Sequence, residues 1–349
     1  MTCRAFRFQV DAWRGDRVES QHVVHVAALG TPALGAAEVD PASLPHTCMR
    51  STAKPLQLLP LVARGGAARI GFEAADLALM AASHDGTLVH AARTRSILSR
   101  LGASPAALRC GLHRPYFLDD LPADDPARAH MYGALHHNCS GNHAAMLAQA
   151  QLAGVELAEY LDPDCASQRL MHTVVHALAD EAPVILLDNC NAPCYDLSLP
   201  GIAAAYASLA DPASLRRFDA ARSALLASVA PLDACVAALE AIGTAMATCP
   251  EWLTGETTPS TRLARSLQGS LVLKHGAEGM LCAAFLDRRA AIALKVADGS
   301  ARAAMPVLLH LLHAFGWQRD APGLLDLQEP VLRGNDGQVV GCLRVRAPM

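Results

Sequence analysis

Aromatic residues are scarce, at 4% of the 349 residues. No apolar run reaches the about 18 residues needed to cross a bilayer, so no transmembrane helix is expected. There is no block of Lys and Arg, and the formal net charge is -4, so nucleic acid is not an expected partner. The opening stretch MTCRAFRFQVDAWRGDRVES has charges throughout and no apolar core. A secretion signal is therefore not expected, and a cytoplasmic location is. Neither a G-x-G-x-x-G nor a Walker A sequence is present, so no nucleotide cofactor is signalled. The 11 cysteines are odd in number and follow no short regular spacing. In a cytoplasmic protein that pattern predicts free thiols. What the chain does have is 52% hydrophobic and 18% charged residues, enough for a sizeable core and against disorder. Alanine is abundant and reads as a coding bias.

Residues 18–29 alternate as a half-buried strand, and 35–39 could return as its hairpin partner. The spacing of Leu56, Leu59 and Val62 predicts a helix over 51–63. Further helices are predicted over 74–82, 88–101, 141–153, 165–180, 202–209, 219–246 and 305–315. Residues 103–137 are rich in proline and read as loop. The apolar run 184–187 predicts a buried strand feeding a turn at 188–193. Strands are predicted over 269–274, 279–286 and 290–296. This order predicts an α+β fold, with an antiparallel sheet flanked by helices. A single catalytic domain over 1–349 is expected, with a helix-rich lobe at about 51–250 between N- and C-terminal strands.

Five segments could carry chemistry. Ser51 and Lys54 stand three apart, so they share a helix face, and an amine of lowered pKa could take the serine proton. An N-cap serine beside an exposed lysine would look the same. Ser83, in ASHDG, could sit in a cleft, or the segment could be a helix end closed by Gly86. In HNCSGNH, Cys139 precedes a helix and His143 lies four residues on. That fits a Cys/His pair, half of a metal site, or a helix capped by Ser140. LLDNCNAPC places Asp188 at a strand end, where a ligand-binding carboxylate or an Asx turn could stand. Cys190 and Cys194 with Cys139 match no standard zinc spacing. Lys274, before Gly276 in LVLKHGAEG, could flank a cleft as K-[TS]-G does in β-lactamase-type enzymes, or be an edge-strand lysine.

In order, RSTAKPLQ, ASHDGTLVH, LRCGLH, HNCSGNHAAML, LDNCNAPCYDLSLPG, KHGAEG and LKVADGSARA resemble the asparaginase II family of the rhizobial inducible type, over residues 18–315. The resemblance implies a serine β-lactamase-like fold, a homodimer, and hydrolysis of the small molecule L-asparagine to L-aspartate and ammonia. It implies Ser51 as nucleophile with Lys54 as its base, and Ser83 as a second active-site serine paired with Lys274. Arg50 and Asp188 are implied at the substrate, with His143 beside them, and Cys139 and Cys190 as zinc ligands. The family's third zinc ligand is a lysine, and here that position is Asn142, so Zn2+ binding is expected to be weakened or lost. An amidase acting on another small amide, or an amino-acid-binding paralogue of low activity, are the alternatives. The lack of an export signal and of a Ser-Asp-Asn motif argues against a β-lactamase.

Overall fold

The computed structural model describes residues 2–35, 38–122, 124–130, 132–317 and 324–346. Its main sheet joins the two ends of the chain. Strands β1 (Cys3–Arg14) and β2 (Arg17–Leu29) form a long hairpin, and β3 (Glu38–Val39) pairs with β1. The short strand β4 (His46–Cys48), β5 (Val184–Leu187) and β6 (Pro193–Ser198) form a second sheet in the order β4-β6-β5. Strands β7 (Leu271–Gly276), β8 (Met280–Phe285) and β9 (Ala290–Val296) form a meander that docks on β2, while β10 (Val331–Arg333) and β11 (Val339–Val345) extend the other side of β1. The main sheet runs β10-β11-β1-β2-β9-β8-β7, and all its pairings are antiparallel.

Period-two alternation divides the core between the two faces of this sheet. One face carries the bulkier side chains Phe6, Phe8, Val24, Val26, Leu281, Phe285, Ile292 and Leu294, packed with helix Ala304–Ala314. The other carries Ala27, Ala284, Ala291 and Ala293, and helix Leu199–Ala210 lies against it. On β7, Leu271 and Leu273 face the bulky side, while Val272 faces the alanine side. Lys274, two residues beyond Val272, therefore points toward the helical lobe, where it is buried. Most predicted helices recur within a residue or two, as Leu88–Arg100, Ser140–Ala153, Ala166–Ala179 and Ala304–Ala314.

The differences have local causes. The helix expected over 51–63 is a 3-10 turn, Arg50–Ala53, followed by short helices Lys54–Gln57 and Leu59–Ala63. Pro55 and Pro60 cannot donate backbone hydrogen bonds, which favours this segmentation. The helix expected over 219–246 is Ala220–Val229 and Leu232–Thr248, bent by 77°. Pro231 holds the preceding residue Ala230 extended, at φ -163°. The hairpin expected of 18–29 with 35–39 is replaced by pairing with β1, Ala5 opposite Val39, and residues 36 and 37 lie outside the described residues. Strand 184–187 exists but is not buried. It is the edge of the small sheet, with Val184 59%, Leu186 45% and Leu187 73% exposed. A short apolar run cannot by itself tell a core strand from an edge. Among the described residues no single helix is long and apolar enough to cross a membrane.

Candidate active site

A cavity of about 660 Å³ opens where the end of β7, the Arg50–Ala53 turn, the segment after helix Ala74–Met80 and the turn before β6 converge. Ser51, Ser83, Cys139 and Cys190, with Arg50 and Asp188, form part of its wall, and Cys194 does not.

Ser83 stands where the two lysines meet. Helix Ala74–Met80 ends short of it, and a segment without regular structure continues, pinned by Ser83 N to Leu253 O at 3.2 Å and His84 N to Asn138 O at 3.1 Å. Gly86, at φ +76°, ends the segment, and any Cβ there would collide with the carbonyl of His136. The His84 ring is buried. Its Nδ1 accepts from Gly86 N at 3.1 Å, so its proton is on Nε2, 3.0 Å from Ser140 Oγ. Burial holds this imidazole neutral, well below its ordinary pKa, and His90 adds to the effect.

Ser83 Oγ lies 3.0 Å from Lys54 Nζ and 2.8 Å from Lys274 Nζ. Lys54 Nζ also donates to Ala82 O at 2.7 Å and to Cys139 Sγ at 3.1 Å. Three acceptors match the three donors of an ammonium. Lys274 Nζ donates to His275 O at 2.7 Å. Burial, then the charge of Lys54, pushes the Lys274 amine well below its ordinary pKa, toward the neutral form. Lys54 is thus joined to Ser83, and Ser51 Oγ has no hydrogen-bond partner among the described residues. Ser51 is half-buried in the cavity wall, one residue after Arg50, whose φ of +49° is a strained value for a side-chain-bearing residue.

Asp188 is joined to Arg50 in a two-pronged ion pair, with Nη2 to Oδ1 at 2.9 Å and Nε to Oδ2 at 3.2 Å. The β4–β6 pairing sets this up, because Met49 N reaches Tyr195 O at 2.8 Å and so brings Arg50 beside the 188–192 turn. Asn191 takes the left-handed position in that turn, at φ +67°.

The thiols of Cys139 and Cys190 are hydrogen-bonded to each other. That bond, then the charge of Lys54, lowers Cys139 well below the ordinary thiol range, and the same bond with burial raises Cys190. As a zinc site this donor set is incomplete. Asn142 is buried on helix Ser140–Ala153, and its Nδ2 is directed at Gln57 Oε1, 3.4 Å away. Among the described residues no three His, Cys, Asp or Glu side chains form a metal-holding group. Two thiols without a third strong ligand do not fit the family's zinc, so no chemical step is routed through it.

His143 does not line the cavity. It is fully buried, with Nδ1 2.7 Å from Tyr160 Oη, and burial pushes it down to about 3. The fourth residue of the helix, it faces the core rather than the opening. Sequence reasoning passed over other wall residues: Asp85, Tyr116, Thr254 and His275. Asp85 lay inside a quoted motif, and His275 follows Lys274, with Nε2 2.6 Å from Ser260 Oγ. Tyr116 belongs to the proline-rich loop, where no periodicity marks it.

The antiparallel sheet, the flanking helices and the serine–lysine cluster at their junction define an α+β protein of serine β-lactamase-like fold. The L-asparaginase II family model matches residues 10–345, and the chain belongs to that family of amidohydrolases. No curated protein matched the chain.

Proposed function

We propose that this chain hydrolyses L-asparagine to L-aspartate and ammonia through a serine acyl-enzyme. The observation that carries the reading is Ser83 Oγ held by two buried lysine amines, at 3.0 and 2.8 Å, in a cavity that also holds Ser51. A serine hydroxyl needs a base, and a buried neutral lysine is one. In the first reading Ser51 attacks the side-chain carboxamide carbon and Lys54 takes its proton. Ser83 and Lys274 then pass a proton to the departing ammonia and activate water for deacylation. Backbone N–H groups at the Arg50–Ala53 turn would receive the oxyanion. Apo-state catalytic contacts are often loose, so the unbonded Ser51 hydroxyl is compatible with this reading.

A second reading is favoured by the hydrogen bonds. The Lys54 amine is spent on three acceptors, while Lys274 is driven toward neutrality beside Ser83. Ser83 would then be the nucleophile, with Lys274 as its base. Ser51→Ala and Ser83→Ala separate the two when assayed for ammonia release and for a trapped acyl-peptide by mass spectrometry. The nucleophile's variant should fall by about three orders of magnitude or more and form no acyl-peptide. Wild-type turnover in both variants would end the serine reading. A panel of short amides tests the substrate, and equal rates on all of them would point to a general amidase.

We further propose a cytoplasmic homodimer in which zinc binding is weakened or lost. The exposed apolar edge strand Val184–Leu187 supports a second copy as its cover, and sedimentation tests it. The change at Asn142 supports the weakened metal.

A further inference from the structure

We propose that Cys139 and Cys190 are a reversible oxidation site, at which hydrogen peroxide joins the two thiols in a disulfide that slows turnover. The bond itself does not depend on the amidohydrolase reading above, whereas its effect on turnover does.

The two thiols come from separate segments and meet in the cavity wall. Cys139 immediately precedes helix Ser140–Ala153. Its N–H donates to His137 Nδ1 at 3.0 Å, and its carbonyl accepts from His143 N at 2.9 Å. Cys190 stands in the turn before β6, which is closed by Asp188 N to Ala192 O and Asn191 N to Asp188 O, both at 2.9 Å. Asn191 Nδ2 ties that turn to Arg109 O at 3.0 Å. Each backbone is fixed, and the two side chains are hydrogen-bonded to each other. Without a third strong ligand to make a metal site, what remains is a pair of adjacent thiols, the arrangement from which a disulfide forms.

The cavity of about 660 Å³ is large enough to admit a peroxide molecule to this pair. Cys110 shares the wall, but its thiol donates to Gly111 O and Ala134 O, each at 3.8 Å. Cys48 and Cys194 are also hydrogen-bonded to each other, yet neither lines the cavity.

Cys139 Sγ, which accepts from Lys54 Nζ at 3.1 Å, attacks one peroxide oxygen. The O–O bond breaks, and the departing hydroxide leaves as water with the thiol proton. Cys190 Sγ then attacks the sulfenic sulfur of Cys139. The S–S bond forms, the S–O bond breaks, and a second water carries away the remaining thiol proton. Each sulfur is oxidised by one electron, and the peroxide is reduced to water. The disulfide deprives Lys54 of its thiol acceptor and ties the Asp188 turn to the start of the helix, so both walls of the site change together. In a reducing compartment such a bond is transient, as a switch requires.

The test exposes the purified full chain to hydrogen peroxide, alkylates the remaining thiols and maps the peptides by mass spectrometry, with and without dithiothreitol. A Cys139–Cys190 cross-link should appear, about 2 Da lighter than the two free thiols, and vanish on reduction. Ammonia release from L-asparagine should fall at least about tenfold on oxidation and return with dithiothreitol. Cys190→Ser should abolish the cross-link and let a Cys139 sulfenic acid accumulate, trapped by dimedone, whereas Cys194→Ser should cross-link as wild type does. If the untreated protein releases no ammonia, the proposed function fails, and the peptide map still decides the cross-link. Cys139 and Cys190 both still alkylated after oxidation, a link between other cysteines in their place, or a cross-linked protein with unchanged turnover would overturn the proposal.

Discussion

Lys274 Nζ lies 2.8 Å from Ser83 Oγ near the end of β7, the buried edge strand of the main sheet, and the same amine is pushed toward neutrality by burial and by Lys54. Protonated, it can no longer accept the serine proton. Activity should therefore rise with pH through the lowered Lys274 value, giving an acid limb in kcat/KM. Lys274→Met should remove at least about 10³-fold of turnover, and Lys274→Arg should not restore it, because a guanidinium stays charged. A pH profile for Lys274→Arg matching wild type would contradict this.

The same burial has a stability consequence. The folded-state pKa of Lys274 is depressed, so between that value and the ordinary value of 10.5 the unfolded chain binds the extra proton. Stability of the wild type should rise with pH across this window, and the contribution is lost as pH falls. Lys274→Met should flatten the slope and raise the melting temperature at neutral pH. Thermal unfolding scans over a pH series measure both.

Arg50→Lys should keep the charge of the Arg50–Asp188 pair and lose its two-pronged geometry. We expect KM for L-asparagine to rise about tenfold or more. Asp188→Ala takes the carboxylate from a half-buried guanidinium, leaving it only Asn189 Oδ1, and should cost about 1–3 kcal/mol of stability. Denaturant titration checks the second effect and steady-state kinetics the first.

Asn142→Lys should restore a third donor near Cys139 and Cys190 and increase the zinc retained after purification. Cys139→Ser should decrease it. Elemental analysis of dialysed protein reads the stoichiometry, and equal zinc in all three proteins would refute the assignment of these positions.

Gly86→Ala forces a Cβ into the His136 carbonyl at a left-handed backbone position. The segment carrying Ser83 should shift, with a loss of about 1–3 kcal/mol and a fall in kcat larger than the change in KM.

Much of this was legible from local pattern. Strand Ala290–Val296 and helix Ser140–Ala153 follow from runs of apolar and small residues bounded by turns, since both are buried nearly all round, and helix Ala166–Ala179 follows from its periodicity. The wall positions of Ser51, Ser83, Arg50 and Asp188 were marked by ordered motifs. The pairing of Lys54 with Ser83 was not, because it joins residues far apart in sequence, brought together by the docking of separate segments. The exposure of Leu187 was hidden for a related reason: an edge and a core strand share one composition. His143 misled because its nearness to Cys139 in sequence suggested a place in the cavity wall, whereas its ring is buried against Tyr160. Tyr116 gave no signal, since its place depends on how a proline-rich loop folds back.

The alanine face of the sheet bears on the serine turn. Helix Leu199–Ala210 rests on that face, and its Tyr206 reaches Thr52 O at 2.7 Å through its hydroxyl. Ala291 and Ala293 thus act as spacers. The thickness of one methyl layer sets how far Tyr206 extends, and with it where the residue after Ser51 is anchored. A feature that looks like compositional drift works as a calibration shim for the Arg50–Ala53 turn, and a bulkier residue there would detune the site from a layer away.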